Sequence, residues 1–295
     1  MNSNPLAEVF GFPISNKSKK ADNFRANKLC PYCNIVPNCT KDKAQDPLGV
    51  CSIFHNGECV ITCPVRFRED WTIIENAAKF AFPTGSKWTS LSEVKLNDID
   101  GKSAGNIDYV IVWLDDNGGI LDFASVEVQG VYISGNLRNA FNKYIENPAP
   151  DFRWDGENYP HPDYLSSSRK RLIPQMLSKG GIFKSWGKKQ CIVIQEEFFS
   201  TLPELPAVNE DNADIAWFLY RLEHDPHTDS YHIALSRVVY TEYHSALNMV
   251  IAPRPGSINV FVRTLQKKLE SKNQSQISPE NPRTILDTSN GEANE

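Results

Sequence analysis

The sequence predicts an α/β fold, and three observations carry that prediction. Segments with apolar residues at helical spacing alternate with short β-branched runs between about residues 68 and 270. Two apolar runs, GNIDYVIVWLDDNGGILDFASVEVQG over residues 105–130, flank the turn-forming Asn117-Gly118-Gly119 and read as a β-hairpin. A third run, KKQCIVIQEEFF, has the β-branched density of a fully buried strand. Such alternation places helices against a sheet.

Taken in order, residues 1–67 read as a small module of their own: polar, rich in Lys, Asn, Cys and Pro, and short of the apolar surface a core needs. A bound metal would supply the missing stabilisation. EDWTIIENAAKFAF then shows an acidic first turn and helical spacing. SLSEVKL is a short alternating strand, and the hairpin follows it. SGNLRNAFNKYIE reads as a helix capped by Ser134, and ENPAPDFRWDGENYPHPDY as a loop. SSSRKRLIPQMLSKGG reads as a helix stopped by its glycines, with Pro174 kinking it or shifting its start. After the buried strand, NADIAWFLYRLEHD is read as helical and SYHIALSRVVYTEYHSALNMVI as mixed. INVFVRTLQKKLESK is the last, amphipathic helix, and residues 271–295, rich in Ser, Asn, Glu and Pro, read as a disordered tail. Three regions are therefore expected: 1–67, 68–270 and 271–295.

Composition excludes several classes. With 295 residues, 40% hydrophobic and 23% charged, the chain has the make-up of a soluble globular protein. No run approaches the roughly 18 apolar residues of a membrane helix, and the amino terminus lacks the apolar core of a signal peptide. A cytoplasmic location is expected. The net charge of −5 argues against non-specific coating of nucleic acid.

The hairpin carries acids where an apolar strand would not choose them. In an extended strand, residues i and i+2 share a face about 6.5–7 Å apart, so Glu127 and Gln129 point the same way. Strand pairing brings Asp108 beside Glu127. Two converging carboxylates suit Mg²⁺, which takes one or two carboxylates and keeps several waters. Glu93, in SLSEVKL, is a further acid that either joins this site or faces solvent.

Six of the seven cysteines fall between Cys30 and Cys63, spaced Cys30-x2-Cys33-x5-Cys39-x11-Cys51-x7-Cys59-x3-Cys63. In a reducing compartment that density points to metal rather than disulfides. Spacing alone favours Cys30 and Cys33 as a metal knuckle. Cys191 stands apart and reads as a core residue.

Together, CPYCNIVPNCTK, DPLGVCS, ITCPVRF, GKSAGNIDYVIV and FASVEVQGVYISGNLRNAF resemble the NotI family of type II restriction endonucleases, over roughly residues 10–200. The resemblance implies a PD-(D/E)XK nuclease fold, a mixed sheet flanked by helices, beside an amino-terminal Cys₄ metal module. It implies Asp108 and Glu127 as Mg²⁺ ligands, with Gln129 where the wider superfamily usually carries Lys. It implies Cys30, Cys39, Cys51 and Cys63 as ligands of a structural iron, a set that zinc would also satisfy, leaving Cys33 and Cys59 as spares. It also implies a GC-rich palindromic target in double-stranded DNA, cut on both strands. Symmetric cutting calls for a homodimer, and a restriction enzyme works beside a protective DNA methyltransferase.

Candidate phosphate contacts are Arg25 with the NKSKK run, Arg66 and Arg68, Arg138, the RKR run at 169–171, and Lys184, Lys188 and Lys189. Arg66 and Arg138 rank first because they adjoin the cysteine motif and the hairpin. Two other readings compete: a DNA-binding protein on a degenerated nuclease fold, and a repair nuclease. No HxH or HExxH pattern among the six histidines suggests a zinc hydrolase.

Overall fold

The hairpin predicted over residues 105–130 forms two adjacent inner strands of a six-stranded mixed sheet. The fold is given by a computed structural model that describes residues 4–274 apart from 34–35, 44, 149–152, 154–157 and 253–254. The expected tail beyond 274 and much of the Pro-rich loop lie outside the described residues. The chain divides into two compact units, Met1–Ile251 and Ala252–Glu295.

The first unit opens with β1 (Leu6–Val9), β2 (Phe12–Pro13), α1 (Lys19–Ala26), β3 (Val50–His55) and β4 (Glu58–Ile61). The strands pair antiparallel in the order β2-β1-β3-β4. Here the structure corrects the expectation of a region without core-forming surface. Leu6, Val9, Val50, Ile53 and Val60 on its strands, with Phe10, Ile14 and Tyr32 from the turns and loops, are buried in one cluster with residues contributed from far along the chain. Local apolar residues are completed by partners from far along the chain, which composition over 67 residues cannot reveal.

A 3₁₀ turn (Pro64–Trp71) leads into α2 (Thr72–Ala81), then β5 (Lys87–Asn97), β6 (Ser103–Leu114) and β7 (Ile120–Gln129). The short pair β8 (Ile133–Ser134) and β9 (His161–Pro162) brackets α3 (Leu137–Glu146). Asn136, not Ser134, caps α3, its side chain accepting from the Asn139 N–H; Ser134 is occupied in β8. Residues 164–185 form one long helix, α4, with π-type turns at Ser168–Leu172 and Met176–Gly180. Gly180 and Gly181 do not stop it. The π turns on either side of Pro174 take up its missing N–H and ring bulk without a break.

β10 (Gln190–Gln195), α5 (Glu196–Ser200), β11 (Ile215–Asp225), β12 (Ser230–Thr241) and α6 (Tyr243–Ile251) complete the first unit. The sheet order is β12-β11-β10-β7-β6-β5, with β10 parallel to both β7 and β11 and the remaining pairs antiparallel. Every residue of β10 is buried, as a central parallel strand requires. β11 corrects the helical reading of NADIAWFLYRLEHD. Ile215 through Tyr220 are buried on both faces of the sheet, so the alternation that marks a strand is absent there.

Helices cover both faces. α2 packs Ile73, Ile74 and Ala77 against Val126, Val128 and Val193, and Cys191 is fully buried in that layer. On the other face α3, α4 and α6 cover Ile192, Ile194 and Trp217. Among the described residues of the second unit there is one helix, α7 (Ile258–Gln274), which includes the first residues, 271–274, of the expected tail. No helix among the described residues is long and apolar enough to cross a membrane.

Candidate active site

The site forms where β6 and β7 part. Their pairing runs from the turn to Tyr109 opposite Val126. Beyond that point β7 continues beside β10, with Glu127 opposite Ile192 and Gln129 opposite Ile194. The Val128 N–H, left without a strand partner on the β6 side, donates to Asp108 Oδ2 at 2.8 Å. Asp108 therefore closes the ladder with its side chain, and its carboxylate is fixed at the mouth of the opening.

Glu127 lies next to it. Burial, then the negative charge of Asp108, pushes the Glu127 carboxyl up to about 8 despite the opposing pull of Lys179. Lys179 Nζ stands 2.6 Å from Glu127 Oε2 and donates to Asn106 O at 2.8 Å. Glu127 Oε1 is buried and has no hydrogen-bond partner among the described residues. Gln129 is buried too, its Nε2 donating to Gly130 O at 2.6 Å.

Glu93 sits across from Asp108 in the β5–β6 register, between the pairs Ser92–Tyr109 and Val94–Ile107. Its φ of 56° puts an ordinary side chain in the left-handed region in mid-strand, a conformation costing on the order of 1–3 kcal/mol. Glu93 and Asp108 line a cleft of about 360 Å³ with Arg68, Lys41, Asp42 and Cys63. A neighbouring cleft of about 420 Å³ is lined by Gln129, Tyr132 and Arg171, and shares Lys41 and Asp42 with the first.

The cysteine-rich segment forms one wall of both clefts because β7 is joined to it. Val131 N–H donates to Ile61 O at 2.9 Å. At Gly130 a Cβ would stand 3.1 Å from Thr62 O and 3.2 Å from Pro64 Cδ, so a side chain there would push the segments apart. Cys30, Cys39 and Cys51 are buried, and their thiols are raised by burial and by neighbouring thiols, Cys63 among them. Cys33 belongs to the same neighbourhood. Cys59 does not: it lies on β4, hydrogen-bonded to Tyr231, and burial pushes it up to about 11. Among the described residues no three His, Cys, Asp or Glu are close enough, as placed, to grip an ion. The Lys41 ammonium donates to Val50 O at 2.7 Å and lies in the field of Cys39, Cys51 and Cys63.

Two expected phosphate contacts are otherwise engaged. Arg66 is fully buried, with Nε 3.1 Å from Glu8, Nη1 2.9 Å from Glu69 and Nη2 2.8 Å from Tyr231 O. Its guanidinium also stacks 4.5 Å from the Tyr32 ring centroid. It has no surface to offer DNA, because it holds the amino-terminal sheet to β12. Arg138 is partly exposed but clamped by Asp42 and by Asp46 at 3.1 Å, tying α3 to the cysteine-rich loop. Arg68, two residues on from Arg66, is the member of RFR that reaches the cleft.

Sequence reasoning missed Lys179. It lies 52 positions from Glu127, and nothing local marks it apart from the Gly180-Gly181 pair that lets its helix approach the sheet.

No curated protein matches the chain. Residues 12–233 match the family model described as Restriction endonuclease NotI, a stretch that takes in both the cysteine-rich segment and the hairpin. Because that match spans most of the sequence, the chain belongs to the NotI family of restriction endonucleases.

Proposed function

We infer that the protein is a Mg²⁺-dependent type II restriction endonuclease with a PD-(D/E)XK active site on β6 and β7. The observation that carries this reading is the convergence of Asp108 and Glu127 where the two strands separate, with Glu127 Oε1 buried and without a protein partner. An orphaned carboxylate oxygen beside a second carboxylate is a donor set suited to a hard dication. A bound divalent ion would polarise the scissile phosphoryl oxygen and lower the pKa of the attacking water.

The chain's own groups have distinct parts. Asp108 and Glu127 would hold the ion, and Glu93 is an auxiliary acid at the cleft it shares with Asp108. Gln129, neutral at every working pH, orients the attacking water by hydrogen bonds and does not take its proton. Arg68 replaces Arg66 as the phosphate contact, at a cleft lined by Asp108 and Glu93. Hydrolysis leaves a 5′-phosphate and a 3′-hydroxyl.

Cys30, Cys39, Cys51 and Cys63 are the ligands of a structural Fe or Zn in the 1–67 module. The donor chemistry is of the right kind: Cys30, Cys39 and Cys51 are buried and lie in the field of neighbouring thiols, Cys63 among them. The site supports the cleft wall and takes no part in the reaction. The family resemblance carries the remaining features: a homodimer in the cytoplasm, a GC-rich palindrome in double-stranded DNA, and a partner methyltransferase that protects the host.

Electrophoresis of a defined viral DNA incubated with the protein and Mg²⁺, beside Asp108→Ala, tests the reading. Discrete bands lost in the variant are expected. A smear would indicate a repair or non-specific nuclease. Intact DNA that shifts in a binding gel would indicate a protein that only binds.

A further inference from the structure

Among the described residues, Asp108, Glu127 and Glu93 form no ion pair with any cation except Lys179. The strand position two residues after Glu127 holds neutral Gln129. The one ion pair to these carboxylates therefore comes from α4, not from the hairpin.

Lys179 is built into place. Its side chain is 8% exposed, and both of its contacts are made at the site, to Glu127 Oε2 and to Asn106 O at the β6 opening. Burying an ammonium is unfavourable by several kcal/mol unless it is fully partnered, so the position is not one a surface lysine drifts into. Several devices deliver it. The π turn Met176–Gly180 shifts the helical register after Pro174. Tyr243 Oη donates to Met176 O at 2.9 Å, and Gln190 Nε2 donates to Gly180 O at 3.1 Å, anchoring carbonyls at both ends of that turn. At Gly180 a Cβ would stand 2.8 Å from Gln190 Oε1 and 2.9 Å from the Tyr243 ring, so a side chain there would have to displace both groups that anchor the turn.

Resting on the reading of the hairpin as the nuclease site, we propose that Lys179 is the positioning residue of that site. It holds Glu127 by Oε2, leaves Oε1 as the oxygen available to an ion, and supplies the positive charge that β7 lacks at residue 129. Lys179 acts through Glu127, so its removal changes the rate of cutting and leaves the grip on DNA alone.

The test compares single-turnover cleavage of a mapped site by Lys179→Met, Lys179→Gln and Lys179→Arg, with Asp108→Asn alongside. DNA affinity is measured in Ca²⁺, and melting temperature is recorded for each variant. The Met and Gln variants are expected to lose at least about 100-fold in rate at saturating Mg²⁺, the scale of a lost preorganised charge. Their DNA affinity should stay within about threefold, and Lys179→Arg should recover to within about tenfold of the parent rate. Lys179→Gln, which keeps a hydrogen-bond donor for Asn106 O, carries the comparison if the Met variant does not fold. A folded Gln or Met variant cutting within about threefold of the parent, while Asp108→Asn is inactive, overturns the proposal. Cleavage by Asp108→Asn would instead overturn the assignment of the hairpin itself.

Discussion

Arg66 Nε lies 3.1 Å from both carboxylate oxygens of Glu8, and neither side chain is exposed to solvent. The pair joins β1 to the 3₁₀ turn before α2, and the other guanidinium nitrogens reach Glu69 and β12. An arginine that sequence reading assigns to DNA is thus a keystone of the fold.

Arg66→Met should leave Glu8 as an uncompensated buried charge and destabilise the protein by about 3–5 kcal/mol. Glu8→Leu combined with Arg66→Met should lose less than the two single changes together, since the unpaired charge disappears. Urea unfolding of the three variants checks both statements. The salt dependence of DNA binding should not change, as a phosphate contact would require.

Acid should weaken the same network through Glu69. Burial favours the neutral acid there, but Arg66 beside it, together with hydrogen bonds from Arg66, the Ile233 N–H and His232, holds the carboxyl below its ordinary value of 4.5. A depressed carboxyl stabilises the fold above its unfolded pKa and loses that contribution as pH falls through its folded pKa. Stability should therefore decline below about pH 4.5, with Glu69→Gln less stable at neutral pH and showing a shallower acid limb. Melting temperatures across pH 3–7 would show it.

At the hairpin, Glu127→Gln should abolish Mg²⁺-dependent cleavage by about 1,000-fold or more while DNA still binds in Ca²⁺. Gln129→Ala removes a neutral orienting group, and a loss nearer about 10–100-fold is expected. Asp108→Ala should also unfold more readily, because Val128 N–H loses its acceptor, a penalty of about 1–3 kcal/mol. Single-turnover rates and melting curves separate these effects.

The cysteines divide by position. Cys39→Ser and Cys51→Ser should lose the bound metal, about one ion per chain, and melt at lower temperature. Cys59→Ser should retain the metal, since that thiol lies with Tyr231 away from the others. Elemental analysis of the purified variants reads the answer directly.

Gly130→Ala should separate the cysteine-rich segment from β7. Its Cβ would press on Thr62 O at 3.1 Å and on Pro64. Overpacking of this kind costs about 1–3 kcal/mol. Cleavage should fall with it, because Gln129 adjoins the strained position.

The hairpin was legible because its turn residues, its period of two and its misplaced acids all lie within residues 105–130. β10 and α2 were legible for the same local reason. β11 was not: over Ile215–Tyr220 a strand buried on both faces shows no alternation, and the period of two at Arg221, Glu223 and Asp225 is too short a run to mark the strand by itself. Lys179 and the fate of Arg66 were invisible because each depends on a partner far away in sequence, Glu127 for one and Glu8 for the other. The amino-terminal core escaped notice because its apolar residues find their neighbours on α3 and α4. What sequence conveys well is chemistry held within one hairpin; what it conveys poorly is chemistry assembled across the sheet.

The left-handed backbone of Glu93 has a hereditary consequence. Glycine or asparagine would occupy that conformation with less strain, so a lineage released from the need to cut DNA should drift toward them within few substitutions. Stability would rise slightly as activity disappeared. The residue at this one strand position could then distinguish, among descendants of a common ancestor, the genes still under selection to destroy invading DNA from those that have become relics.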